Sequence, residues 1–243
     1  MFGSLYHALI YQPLYNGLVF LLDTVSFADA GVAVVILTIC IKVILFPLSK
    51  KAIVTQIAMK EVQPEIDRIK GKFKDDKQEQ AKKIMDLYKE RGVNPFSSIL
   101  LIIIQIPILF ALYRVFNSGL PTINSSELYS FIGVPGHVST IFLGWFDISH
   151  TKNIYLALMV GVTQFFQAWF MFAGKTPEPA TTGGSFETDF AKNMSLQTKY
   201  VLPVVISVIS YGLTGALAVY WITSNLFGIG QETGVERAMH GGG

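Results

Sequence analysis

Long apolar runs separated by polar segments set the pattern of this chain. A helix that crosses a lipid bilayer needs about 20 predominantly apolar residues. The longest run, 31 residues from Tyr200 to Gly230, carries no charge and is too long for one crossing. We expect it to divide between Gly212 and Gly215, because glycine weakens a helix. The pattern therefore predicts five membrane-spanning helices, over residues 30–48, 94–116, 154–172, 199–213 and 214–231.

Residues 1–29 precede the first predicted span and are also apolar, but Pro13 is expected to break the segment. The segment contains three tyrosines, Tyr6, Tyr11 and Tyr15. Aromatic side chains with a polar tip favour the membrane–water interface. We therefore predict an N-terminal extracytoplasmic helix that lies in the interface and does not cross the bilayer.

The polar segment 49–92 is predicted to form a helical hairpin. Two apolar stripes recur at helical spacing on either side of a turn at residues 71–76. Pro64 is expected to kink the first arm or to mark its restart. Two interpretations stay open, an ordinary solvated loop or a mobile docking element whose twelve basic residues also attract anionic lipid. The stripe residues are Ile66, Ile69 and Phe73, followed by Ala81, Ile84, Leu87 and Tyr88.

Composition agrees with this division. Of the 243 residues, 51% are hydrophobic and 15% are charged, against about 25% charged in an average soluble domain. Segment 49–92 holds 20 of the 36 charged residues, and the other 199 residues hold 16. The apolar content excludes a disordered chain, and a net charge of +2 argues against nucleic-acid binding through bulk positive charge. The distribution predicts an all-α polytopic membrane protein with one water-exposed insertion.

The basic residues predict the orientation, because Lys and Arg accumulate on the cytoplasmic side of a membrane. Segment 49–92 has twelve, and the region after the third span has three, whereas loop 117–153 has one. The N-terminus and loop 117–153 are therefore predicted to be extracytoplasmic. Loop 173–198 and the short tail 232–243 are predicted to be cytoplasmic.

Lys42 is the only ionisable residue in the centre of a predicted span. A lysine at the bilayer centre costs about 2.5–3.5 kcal/mol on insertion scales. Lys42 either snorkels to the inner headgroups, roughly 9 Å away at 1.5 Å per residue, or faces a water-filled cavity. Polar residues at similar depth in this span and in the other spans favour a hydrated interior that opens to the cytoplasm. They are Thr38, one turn before Lys42, and Gln105, Gln164, Gln167, Ser224 and Asn225.

Four motifs, in order along the chain, resemble the YidC/Oxa/Alb family of membrane protein insertases. The first ends the first predicted span, and the others lie in the second, third and fifth spans. The resemblance covers about residues 5–231. The motifs are KVILFPLSK at 42–50, NPF at 94–96 with QIPI at 105–108 and ALY at 111–113, LMVGVTQFF at 158–166, and VYWITSNL at 219–226.

The resemblance implies an insertase of the bacterial plasma (inner) membrane that uses neither nucleotide hydrolysis nor a cofactor. Its five helices would enclose a hydrophilic groove that is open to the cytoplasm and to lipid. Lys42 matches the family's positive groove residue, and Thr38 and Trp221 match positions for groove lining and substrate contact. The resemblance also marks recurrent motif positions at Gln105, Tyr220 and Asn225.

This chain departs from the family in having Lys42 where arginine is usual. Lysine keeps the positive charge but loses the planar fork that binds a carboxylate through two hydrogen bonds. A mechanism that needs positive charge is therefore expected, and one that needs bidentate recognition is not. The family's long basic tail, through which some members contact ribosomes, is replaced by residues 232–243 with one basic residue, Arg237.

The expected partners are nascent membrane-protein substrates and membrane lipid, with the ribosome and the Sec translocon as further candidates, no nucleic acid, and one copy as the working unit. The alternative function is a small-solute channel or transporter, which would carry paired intramembrane charges or inverted repeats. Neither pattern is evident here. An enzyme is not expected, because the predicted spans contain no Asp, Glu or His for acid–base chemistry. The single cysteine, Cys40, predicts neither a disulfide nor a metal site.

Overall fold

The computed structural model describes residues 2–25, 29–94, 97–119, 123–172 and 197–240, and the fold is mostly helical. Nearly all of the predicted loop 173–198 lies outside the described residues, as does the end of the tail. The helices are α1 Phe2–Tyr6, α2 Gln12–Thr24, α3 Ala30–Ile44, α4 Phe46–Lys72, α5 Lys77–Glu90, α6 Ser97–Gly119, α7 Ile154–Phe172, α8 Leu202–Gly212 and α9 Gly215–His240. Shorter elements are the π-helical turns His7–Tyr11 and Gln197–Val201, a 3-10 turn Ser125–Glu127, and strands β1 Ile141–Phe142 and β2 Phe146–Asp147.

The N-terminal segment is helical through Pro13, so the predicted break there is wrong. Pro13 lies in the first turn of α2 and follows a π-helical turn. The fixed φ of proline suits the first turn of a helix, so α2 begins around Pro13 and the chain stays helical. The segment packs against α3 and α6, and Tyr15, 1% exposed, accepts a 2.6 Å hydrogen bond from the Asn124 N–H. Its place in the membrane interface stays a prediction.

Helices α3 and α4 meet at an angle of 65°. The Asp29 carboxylate begins α3 by accepting a 2.9 Å hydrogen bond from the Val32 N–H. Helix α3 ends at Ile44, four residues before the predicted end of the first span at Leu48. Pro47 lies in the first turn of α4, and a proline cannot continue a straight helix without clashing with the preceding turn.

Helices α4 and α5 pack against each other around a small apolar cluster of Val62, Ile66 and Leu87. Ile66 and Leu87 belong to the two stripes predicted from the sequence, and Val62 lies one turn before Ile66 on the same helix. Helix α4 continues past Pro64 to Lys72, so the helix does not restart at this proline. Asp76 begins α5 by accepting a 3.0 Å hydrogen bond from the Glu79 N–H.

Helices α7, α8 and α9 form the second half of the bundle. Helix α7 occupies the same residues as the third predicted span. Helix α8 ends at Gly212 and α9 begins at Gly215, at the glycines that predicted the division of the long apolar run. Helix α9 extends to His240, beyond the end of the last predicted span at residue 231.

The segment that connects α6 to α7 covers one end of the bundle. The Ser139 carbonyl accepts a 2.8 Å hydrogen bond from the Ala30 N–H at the start of α3, and the Ile148 carbonyl accepts a 2.9 Å bond from the Ala216 N–H at the start of α9. Between these anchors, β1 and β2 pair antiparallel. This segment therefore ties the first turns of two helices together.

One main core joins α2, α3, α6, α7 and α9. Its fully buried aromatic and aliphatic side chains hold the helices in contact through close van der Waals packing. The largest of these side chains are Tyr15, Tyr220, Phe116, Leu18, Leu112, Ile148, Leu156 and Leu217.

Length and hydropathy identify few of the described helices as spans on their own. The segment Ile154–Met171 of α7, with a mean hydropathy of 1.4, is long and apolar enough to cross a bilayer. The pair Ala30–Ile44 and Phe46–Lys72 satisfies the criterion only as one bent unit, and Ile103–Asn117 and Lys199–Gly212 are apolar but shorter. By this criterion one or two spans stand out, so the five-span arrangement stays a prediction.

Candidate functional site

Helix α9 is the centre of the candidate site. It carries three of the six residues that the resemblance marks, Tyr220, Trp221 and Asn225, and it packs against α3, α4, α6 and α7. Tyr220 and Asn225 are 2% and 3% exposed, whereas Trp221 is half-buried and packs against the main core. These neighbouring positions on one helix therefore have very different access to a ligand.

Gln105 on α6 and Tyr220 on α9 form one polar link. The Gln105 side-chain amide donates a hydrogen bond to the Tyr220 hydroxyl. Both residues were predicted as site residues, and the structure brings them together although 115 positions separate them. A buried polar group inside a helix bundle is stabilised only when it finds such a partner.

Asn225 forms a second link, from α9 to α7. Its side-chain amide donates a 3.1 Å hydrogen bond to the Thr163 hydroxyl. That hydroxyl donates in turn to its own helix, with the Met159 carbonyl at 2.9 Å. Asn225 was predicted as a site residue, whereas Thr163 was not. A threonine in an apolar run usually bonds to its own helix, so the sequence offered no signal for a partner on another helix.

Thr38 is buried inside the bundle. It is 1% exposed, and its hydroxyl donates a 2.6 Å hydrogen bond to the Val34 carbonyl on the same helix. Its proton is therefore already engaged, and its side chain is not presented on an open surface. The prediction that Thr38 lines a groove is untested by this arrangement, but direct contact with a ligand would require α3 to move.

Lys42 lies in the last turn of α3 and is half-buried. Among the residues that the structure describes, no carboxylate lies within ion-pair distance of its ammonium group. The C-terminal end of a helix carries partial negative charge and stabilises a cation there. The next two residues, Val43 and Ile44, are 57% and 74% exposed. Lys42 therefore stands where the buried part of α3 gives way to an exposed apolar surface.

Three further contacts between helices were missed from the sequence. The Gln231 amide on α9 donates to the Ser49 hydroxyl on α4, and the Ser207 hydroxyl on α8 donates a 2.8 Å bond to the Ala157 carbonyl on α7. The Gln167 side chain on α7 packs against Gly228 on α9, so closely that a Cβ atom added to Gly228 would lie 2.6 Å from the Gln167 Nε2 atom. Each contact joins residues far apart in sequence, which local patterns do not reveal.

The arrangement combines a hydrogen-bonded polar seam with one cation. The seam consists of two hydrogen-bonded pairs, Gln105–Tyr220 and Asn225–Thr163, and each pair has one member on α9. No group of three or more His, Cys, Asp or Glu side chains suited to a metal ion occurs in the part of the chain that the structure describes. Chemically, the site can offer hydrogen bonds and positive charge to a polar segment.

Comparisons with known proteins agree with the sequence motifs. The sequence profile of the family described as 60Kd inner membrane protein matches residues 21–241. The membrane protein insertase YidC of Fusobacterium nucleatum is 34% identical over 226 residues, which cover 92% of this chain and 95% of that protein. The YidC of Clostridium tetani is 35% identical over 201 residues, covering 83% of this chain and 79% of that protein.

A solved structure described as an active YidC insertase with its first transmembrane domain resolved has a TM-score of 0.57 and 25% identity. It covers 90% of this chain, which in turn spans 45% of that chain. The fold and the sequence thus define a membrane protein insertase of the inner membrane type. The chain belongs to the 60Kd inner membrane protein family, the family of the YidC insertases. The relatives' function is not enzymatic, and the alternative of a channel or transporter has no support from them.

Proposed function

We propose that this protein moves hydrophobic segments of nascent membrane proteins from the cytoplasm into the bilayer through a groove whose positive charge is Lys42. The observation that carries the proposal is the half-buried Lys42 with no described carboxylate partner, in a chain of the insertase family. A buried, unpaired cation is costly. Its retention is explained if an incoming polar or acidic segment is its partner.

The proposed arrangement is multi-pass, with five spans, an extracytoplasmic N-terminus and a cytoplasmic C-terminus. The distribution of Lys and Arg supports it, since twelve basic residues lie in segment 49–92. In this proposal the α6–α7 segment closes the extracytoplasmic side, and its hydrogen bonds to the first turns of α3 and α9 support that role. A polar tail could therefore enter from the α4–α5 side and remain in the groove without crossing an open pore.

The first step is electrostatic capture. A short acidic N-terminal tail of the substrate approaches Lys42, and the attraction between opposite charges is stronger near the bilayer than in water because the dielectric constant is lower. The lysine ammonium group acts as a point charge and requires no bidentate geometry. This step therefore selects substrates by charge and not by a particular sequence.

The second step is partial solvation of the tail. Moving a polar group into hydrocarbon without a hydrogen-bond partner costs several kcal/mol. Gln105 and Asn225 supply side-chain amides beside the groove, while Tyr220, which is buried, holds the Gln105 amide in place. In this proposal the buried Thr38, Tyr220 and Asn225 shape the wall of the groove, and the half-buried Gln105 amide contacts the tail.

The third step is release of the apolar segment into lipid. Trp221 is half-buried, and α6 presents exposed apolar side chains, with Ile103 58% and Phe110 62% exposed. A hydrophobic segment that leaves water beside these side chains gains about 25 cal/mol per Å² of buried apolar surface. That gain drives insertion, so no nucleotide is required.

Lipid and the substrate are the partners that this mechanism requires. The α4–α5 pair carries most of the positive charge and is the proposed first contact with the nascent chain. The ribosome and the Sec translocon are further proposed partners, and one copy contains all the residues that the mechanism uses.

The test is an insertion assay with purified protein in proteoliposomes and a single-span substrate with an acidic tail. Replacing Lys42 by Arg should retain most activity, and replacing it by Ala should reduce insertion about tenfold, which corresponds to about 1.4 kcal/mol. Lys152→Ala, which removes a basic residue from the α6–α7 segment, is the matched control and should insert normally. Normal insertion by Lys42→Glu would remove electrostatic capture from the mechanism.

A further inference from the structure

The tip of the β-hairpin in the α6–α7 segment exposes two large apolar side chains. The tip joins β1 to β2 through Leu143, Gly144 and Trp145. Trp145 is 85% exposed and Leu143 is 63% exposed. Two large apolar side chains exposed on one turn are a candidate contact surface, and their surroundings decide which partner suits it.

The backbone of this tip is strained. Leu143 has a φ of 53°, in the left-handed region, and Gly144 follows with a φ of 76°. Glycine adopts this conformation freely, but leucine has a Cβ that crowds the backbone and no polar side chain to compensate. The hydrogen bond from the Leu143 N–H to Asp29 helps to hold the tip in this conformation.

The tip is fixed to the start of α3. The Leu143 N–H donates a 2.9 Å hydrogen bond to one carboxylate oxygen of Asp29, and the other oxygen of Asp29 accepts from the Val32 N–H in the first turn of the helix. The Phe142 ring lies against Gly31, where no side chain could be accommodated. The tip is therefore held at the level of the first turn of α3 and does not swing freely.

The first turn of α3 marks a boundary of the apolar part of the bundle. Helix α7 starts nearby, with Tyr155 68% exposed and Leu158 56% exposed. The Phe146 ring in β2 is 6.5 Å from the Tyr155 ring, measured between centroids. The exposed apolar surface of α7 thus continues onto the hairpin. Tryptophan and tyrosine concentrate where hydrocarbon meets lipid headgroups.

We propose that the hairpin tip of Leu143 and Trp145 is a membrane anchor that inserts into the lipid interface of the leaflet in which α3 begins. The anchor rests on the proposed membrane-spanning arrangement of α3 and α7, and it adds a lipid contact to it. A lipid surface is favoured over a protein partner because the tip continues the exposed apolar side of α7. The anchor would hold the closed end of the bundle at a fixed depth while the groove is loaded from the opposite end.

The test uses the fluorescence of Trp145. The full chain with Trp169→Phe and Trp221→Phe retains this one tryptophan and is reconstituted into phosphatidylcholine vesicles whose acyl chains are brominated at shallow or deep positions. We expect quenching by bromine near the headgroups to exceed quenching near the bilayer centre, since an interfacial group lies about 5–10 Å into the headgroup boundary. Emission typical of water with no quenching at either depth would overturn the anchor and leave a protein partner for this surface.

A second single-tryptophan chain, which retains Trp169 on α7, separates this result from the proposed function. Trp169 is 47% exposed and should be quenched by bromine in the acyl chains. Quenching of Trp169 without quenching of Trp145 refutes the anchor alone. If neither tryptophan is quenched, the membrane-spanning arrangement fails, and the anchor fails with it.

Glycine substitutions supply the matched pair of variants. Gly31→Ala places a methyl group against the Phe142 ring and should displace the hairpin, whereas Gly136→Ala in the same segment meets no atom within 4 Å. In the chain that retains Trp145, we expect shallow quenching to fall in Gly31→Ala and to persist in Gly136→Ala. Equal quenching in the two variants would mean that the contact with α3 does not position the tip.

Discussion

The side-chain amide of Gln105 on α6 donates a hydrogen bond to the hydroxyl of Tyr220 on α9. Tyr220 is almost fully buried, so its hydroxyl relies on partners inside the protein, of which Gln105 is the one on another helix. The bond links α6 to α9. It is therefore a structural support for the site as well as a part of it.

A double-mutant cycle tests this link. We expect Gln105→Leu and Tyr220→Phe each to lower the free energy of unfolding, and the double variant to lower it by less than the sum of the two. Coupling energies of about 0.6 kcal/mol, and up to about 1.7, are typical of hydrogen bonds between helices in membranes. Unfolding in a denaturing detergent series measures the three values. Strict additivity would mean that the hydrogen bond does not couple the helices.

Two glycines on α9 should differ in their tolerance of alanine. A Cβ at Gly215 would lie 2.8 Å from the Cα of Ile148, which is backbone, whereas a Cβ at Gly228 would meet the flexible end of Gln167. Gly215→Ala should therefore destabilise the protein by about 1–3 kcal/mol, as overpacking does, and Gly228→Ala by much less. Thermal unfolding of the two variants decides this, and an equal loss would contradict the packing at the start of α9.

The α4–α5 pair should depend on its apolar cluster more than on its surface charges. Leu87 is 7% exposed in the cluster, and Leu87→Ala should cost about 2–5 kcal/mol of local stability. The Arg91–Glu65 ion pair, at 2.5 Å, is solvent-exposed, so Arg91→Ala should cost at most about 1 kcal/mol. Hydrogen exchange of α5 measures both effects. Faster exchange in Arg91→Ala than in Leu87→Ala would reverse this ranking.

Glu232 should make stability depend on pH. It lies on α9 just after the last predicted span and faces α4 and α7. Its charged neighbours are Lys60 and Glu236, and α7 contributes the uncharged Phe170 and Met171. The pKa of Glu232 is raised to about 7, mainly because the carboxyl group is buried. The positive charge of Lys60 lowers this pKa, and the negative charge of Glu236 raises it further. The folded state therefore favours the protonated carboxyl group.

Between pH 4.5 and 7 the folded state binds more protons at Glu232 than the unfolded state does, so the free energy of unfolding falls as the pH rises. The favourable contribution of protonated Glu232 is complete below pH 4.5 and is lost as the pH rises towards 7 and above. The resulting fall in the free energy of unfolding between pH 4.5 and pH 8 should be about 1–2 kcal/mol, after allowance for the partial exposure of the group. Glu232→Gln should abolish this fall. Unfolding temperatures at pH 4.5 and pH 8 measure it, with the exposed Glu61→Gln as control. A pH dependence that is identical in the parent and in Glu232→Gln would refute the assignment.

The sequence predicted those features that arise locally. The helix of residues 154–172 follows from an uninterrupted apolar run, and the division between Gly212 and Gly215 follows from the weakness of glycine in helices. The first span was predicted to end at Leu48, but α3 ends at Ile44. Pro47 and the packing of the helices turn the chain earlier than hydropathy indicates.

The candidate site was predictable only in part. Motifs identified Gln105, Tyr220 and Asn225, but neither their burial nor their partners could be read from local spacing. Thr163 became part of the site through a contact 62 positions away. Thr38 was predicted to line a groove from the family resemblance, and its hydroxyl bonds to its own helix. Contacts between distant residues depend on how the helices pack, which hydropathy does not encode.

The central claim, that Lys42 captures the substrate by charge, is tested most directly by exchanging charges between the two partners. Insertion is measured in proteoliposomes for the parent chain and for Lys42→Glu, each with a single-span substrate whose tail is either acidic or basic. We predict that the parent inserts the acidic tail better and that Lys42→Glu inserts the basic tail better. If Lys42→Glu inserts the acidic tail as efficiently as the parent does, the charge of Lys42 does not capture the substrate.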